Sequence, residues 1–70
     1  MNINKLLAKL VEKRYTKNNL ANALGISMSC LYNKLNGRTS FTHREISIIS
    51  KMLSLSQDEI IAIFFEDVVS

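Results

Sequence analysis

Three kinds of side chain in this sequence carry chemistry worth testing, and two of them lead nowhere. A metal site needs several His, Cys, Asp or Glu at ligand spacing, and His43 stands thirteen positions from Cys30 with no cluster around either, so no metal is expected. Cys30 falls near the start of a predicted helix, where a thiol's pKa can drop, but no general base accompanies it. The only glycines are Gly25 and Gly37, which make no phosphate-cradling loop. No catalytic residue is assigned, no cofactor or small-molecule substrate is expected, and the chain is not read as an enzyme. What remains is the hydroxyl of Ser29 and the amide of Asn33, four positions apart and set among lysines and arginines. On a helix that spacing aims both tips the same way. A group that donates and accepts at once, held beside cations, suits hydrogen-bonded recognition of a polyanion.

These two tips need a rigid support, and the residues from Thr16 to Gly37 supply one. Thr16 can cap a helix whose Leu20, Ala21 and Leu24 form one inward stripe. Gly25 can take the left-handed conformation that ends it, and Ile26 then plugs the angle. Ser27 caps a second helix with Leu31 and Leu35 on one face, closed by Asn36 and Gly37. The small Ala21 lets two crossing helices approach closely. Two helices joined by a short turn containing Gly form a helix-turn-helix, with the motif over about residues 16–36.

At Thr16, Leu20-Ala21, Leu24-Gly25-Ile26-Ser27, Leu31 and Leu35-Asn36-Gly37 the chain resembles the phage repressor and Cro-like helix-turn-helix proteins, the XRE-type group. These residues span about a third of the chain, and the flanking helices extend the match to nearly its full length. The segment from Phe41 to Phe65 is similar to that of small phage-encoded Cro-like proteins. The resemblance implies an all-α, compact five-helix, lambda-repressor-like domain and a sequence-specific transcriptional regulator that binds a double-stranded DNA operator. Two departures stand out. Family members often have Gln at the start of the first motif helix, where this chain has Lys17, and often a polar base reader where it has Met28.

With Leu31 and Leu35 set inward, Ser29 and Asn33 point outward, Met28 and Tyr32 share one flank, and Cys30 and Lys34 the other. In the implied fold this helix enters the major groove with its N-terminus first, so Met28, Ser29, Tyr32 and Asn33 are the candidate base readers. Asn33 can pair bidentately with adenine, and Met28 and Tyr32 can touch a thymine methyl. Backbone contacts come from cations, hydroxyls and helix N-termini, which picks out Thr16, Lys17, Lys34, Asn36, Arg38, Thr39, Ser40 and Arg44.

Charge supports this placement. Residues 1–44 hold eight cations against Glu12 alone, a balance of +7, whereas residues 45–70 hold Lys51 against five acids, a balance of −4. A basic half that contains the motif points to nucleic acid.

Outside the motif, Ile3, Leu6, Leu7, Leu10 and Val11 recur at helical spacing behind a capping Asn2. Thr42 with Glu45, and Ser56 with Glu59, are capping boxes for a fourth and a fifth helix; Phe41 can staple onto Ile46, and Ile46, Ile49 and Leu53 turn inward. The fifth helix is expected over about residues 57–66. It has two apolar stripes, one through Ile60, Ile63 and Phe64 and a second through Ile61, Phe65 and Val68. The second is the expected dimer or partner surface. Seventy residues make one domain, 1–70, with a modest core, and a single Cys excludes an internal disulfide, so oligomerisation, as a homodimer, is the remaining means of reinforcement. No apolar run approaches membrane length and no leader is evident, so the expected location is the bacterial host cytosol with no membrane partner. A second reading is an antirepressor or modulator that binds a co-encoded phage repressor, since Met28, Tyr32 and the fifth helix also suit protein contact.

Overall fold

Each helix of the chain begins at a side chain that satisfies its first free amides, and these caps fix where the elements lie. In the computed structural model, which describes residues 1–65, five helices follow one another: α1 (Ile3–Glu12), α2 (Lys17–Leu24), α3 (Met28–Leu35), α4 (His43–Met52) and α5 (Gln57–Phe64). The expected all-α, five-helix architecture is what the chain adopts, and no strand occurs among the described residues. Asn2 Oδ1 accepts from the Lys5 amide at 3.1 Å and Ser27 Oγ from the Cys30 amide at 3.1 Å. Thr42 with Glu45 and Ser56 with Glu59 form the reciprocal boxes expected of them. Thr16 forms a third box, with Asn19 returning its amide oxygen to the Thr16 N–H at 2.9 Å.

Helix ends are as uniform as helix starts. After α1, α2, α3 and α4 the chain passes through a left-handed residue, at Arg14, Gly25, Gly37 and Ser54 with φ of 63°, 70°, 81° and 52°. In each case the following amide reaches back five residues, as Tyr15 N does to the Leu10 carbonyl and Arg38 N to that of Asn33, so the last carbonyls are paired.

Leu6, Leu20, Leu31, Ile49, Leu53 and Ile63 are fully buried at the centre, contributed by every helix or its cap. α3 and α4 pack against α2, while α5 packs against α1. The Phe41 and Phe64 rings meet edge to face with centroids 6.0 Å apart, tying the loop before α4 to the end of α5. Lys9 binds Glu12 on its own helix at 2.9 Å and Glu59 on α5. Lys9 and the Ser56 amide hold the pKa of the Glu59 carboxyl down to about 2.

One apolar expectation is corrected. Val11 is 76% exposed and is not a core residue, because Leu6 and Leu10 centre the buried face and Val11 lies about 100° or more from both. In the second stripe of the fifth helix, Phe65 is the C-cap of α5, half-buried and packed against the core. Ile61 is half-buried outside that cluster, and Val68 lies outside the described residues.

Candidate nucleic-acid interface

The outward side of α3 is set by what its inward side buries. Leu31 and Leu35 enter the core, and Ser29 stands exposed on the opposite side. Asn33, one turn on, is half-exposed, and its backbone carbonyl accepts from both Arg38 N and Thr39 N, at 2.9 and 3.4 Å, as the chain folds back after Gly37. Met28 packs against the core cluster and is half-buried, so this flank is more structural than a base-reading role alone requires. Tyr32 is 46% exposed, and the Lys17 ammonium sits 5.5 Å from its ring centroid, within cation–π range. That contact joins the start of α2 to the outer face of α3.

Thr16, Lys17, Asn36, Arg38, Thr39, Ser40 and Arg44, the other expected contacts, are all exposed. The Thr16 hydroxyl caps α2 by accepting from the Asn19 amide, which leaves its own O–H to donate. Arg44 lies in the first turn of α4, whose free amides favour anions. Residues 13–44 contain no Asp or Glu, so no carboxylate within the motif opposes this cationic rim.

Lys34 is placed differently from the expectation, and its assignment as a backbone contact is corrected. Its side chain is about nine-tenths buried, with Nζ 3.0 Å from Glu45 Oε1, 3.1 Å from the Ser40 carbonyl and 5.8 Å from the Phe41 ring centroid. Burial pushes the Glu45 carboxyl up, but the Thr42 amide and the Lys34 ammonium outweigh it and hold it below the ordinary carboxylate value. Lys34 therefore fastens the loop that carries Arg38, Thr39 and Ser40 to the N-terminus of α4. The helical wheel held a signal for this: Lys34 lies only about 60° from Leu31. Its partner, eleven positions later, reads in sequence only as a cap.

The other chemical candidates stay apart. His43 is exposed and Cys30 half-exposed, and no group of three or more metal-binding side chains exists among the described residues. No helix among them is long and apolar enough to cross a membrane.

No curated protein and no solved structure matches the chain. Residues 1–67 match the family described as a protein of unknown function, DUF739, and the chain, with its capped five-helix core, belongs to that family.

Proposed function

We propose that this protein is a small, non-enzymatic, sequence-specific DNA-binding regulator of transcription, of the Cro-like repressor kind, acting in the bacterial host cytosol. One observation carries the reading: Ser29 is exposed and Asn33 half-exposed on the side of α3 away from buried Leu31 and Leu35, the Lys17 ammonium lies against Tyr32 of the same helix, and residues 13–44 hold no Asp or Glu. The cations would hold phosphates and set register, while the amide and hydroxyl read base edges in the major groove. As a homodimer it would place two such helices about 34–36 Å apart on one face of the operator and repress by occlusion.

Gel retardation against DNA flanking its own gene, at low and moderate salt, tests this. Specific retardation that Asn33→Ala or Ser29→Ala weakens supports it, at about 1–3 kcal/mol of discrimination for a bidentate pair. Absence of any sequence preference refutes it. The exposed ring of Tyr32 on the same face favours a second reading, in which α3 docks on a co-encoded repressor protein. A stable complex with that protein, without sequence-specific DNA binding, would select it.

A further inference from the structure

A trench of about 420 Å³ runs between α1 and α5, away from the α3 face, with Ala8, Ala62 and Ile63 among its apolar lining and Lys5, Glu12 and Asp58 among its charged lining. The two helices are antiparallel: Asn2 N donates to the Ile63 carbonyl at one end, and Lys9 pairs with Glu59 towards the other. Lys5, one turn before Lys9, therefore lies towards the Ile63 end, and Asp58 and Glu12 lie towards the Glu59 end. Lys9 is shared by Glu59 and Glu12, which leaves that group one net negative charge. Lys5 and Asp58 are exposed and have no ion pair among the described residues. The trench thus has an apolar middle with an unmatched cation, Lys5, at one end and an excess of negative charge that includes Asp58 at the other.

We infer that this trench is the surface on which a second copy of the chain docks, antiparallel, so that Lys5 of each protomer meets Asp58 of the other across a two-fold axis. An isologous interface must be complementary to itself, and a patch with opposite charges at its two ends meets that requirement when turned end for end. Ala8 and Ala62 leave room for the second pair of helices to approach. A partner of single charge would leave one end unmatched. The inference deepens the dimer of the proposed function and moves it from the fifth helix alone to the α1–α5 seam.

The test measures mass in solution across protein concentration by sedimentation equilibrium, without DNA. The wild-type chain is expected to dimerise. Lys5→Glu and Asp58→Lys each turn both attractive contacts of the homodimer repulsive, so each should raise the dissociation constant about tenfold or more. In a dimer of one variant with the other, the introduced carboxylate meets the introduced ammonium at one contact, and the unchanged Asp58 meets the unchanged Lys5 at the other. Both contacts are then attractive again, so the mixture should dimerise as the wild type does. A folding defect in either variant could not produce that rescue. Ala8→Glu, at an exposed helical position, should leave a folded monomer. A wild-type monomer at high micromolar concentration overturns the inference, as does a dimer indifferent to the charge reversals or a mixture without rescue. These outcomes are read without DNA, whereas the reading of α3 is tested by whether Ser29→Ala or Asn33→Ala weakens sequence-specific retardation, so the two can fail separately.

Discussion

Breaking the Lys34–Glu45 pair should cost much more than breaking an ordinary surface ion pair, and the geometry says how much more. A chain of 70 residues has a total stability of roughly 4–10 kcal/mol. Lys34→Met keeps the unbranched stem and removes the ammonium, which leaves the nine-tenths buried Glu45 carboxylate with only the Thr42 amide, at 2.9 Å, as partner. An uncompensated buried charge of this kind costs ~2–3 kcal/mol. Glu45→Gln preserves an oxygen for the capping box and leaves Lys34 its bond to the Ser40 carbonyl, so its cost is ~1–2 kcal/mol. The double variant strands no charge and should be about as stable as Lys34→Met alone or more so, which makes the coupling energy ~1–2 kcal/mol. Urea unfolding followed by helical circular dichroism at neutral pH closes the cycle. Acid provides a second check. The folded Glu45 carboxyl titrates below its ordinary value, so its contribution is present above the unfolded pKa of 4.5 and is lost as pH falls through the folded one. The gap between wild type and Glu45→Gln should therefore narrow in that window. Additive single effects, within about 0.5 kcal/mol, together with a gap that ignores pH, would refute the claim that this pair fastens the loop.

Two further outcomes follow from the same coordinates. Because Lys34 faces inward, Lys34→Met should leave the salt dependence of DNA binding unchanged, whereas Arg38→Ala and Arg44→Ala should each reduce the slope of log affinity against log salt by about 0.9 per protomer, or about 1.8 for a bound dimer; an equal loss for Lys34→Met would put it back on the phosphates. At the left-handed helix ends, Gly25→Ala should destabilise by about 1 kcal/mol and Ser54→Gly should stabilise by a similar amount, read as shifts in the urea midpoint at constant slope; a Ser54→Gly change that destabilises would contradict the backbone account.

Most of the helical framework was legible in the sequence because its causes are local. A hydroxyl or amide three residues ahead of a free N–H marks a helix start wherever it occurs, which is why Asn2, Thr16, Ser27, Thr42 and Ser56 all cap as expected. Leucines at three- and four-residue spacing must share a face, so Leu6 with Leu10 and Leu31 with Leu35 reach the core. The outward direction of Ser29 follows from the same arithmetic.

What the sequence left open depends on neighbours distant along the chain. Arg14 and Ser54 carry no glycine signal, and their positive φ arises because the next helix must be turned back onto the core within a few residues. Phe65 could have extended an exposed stripe, but at the C-cap of α5 it packs against the core and is half-buried. Lys34 is the plainest case: position on the wheel places it at the edge of the buried stripe, and Glu45, brought alongside at the start of α4, together with the Ser40 carbonyl makes the inward direction favourable. Local chemistry sets the helices and their faces; the direction of a side chain at a face's edge is decided by the partner that tertiary packing presents to it.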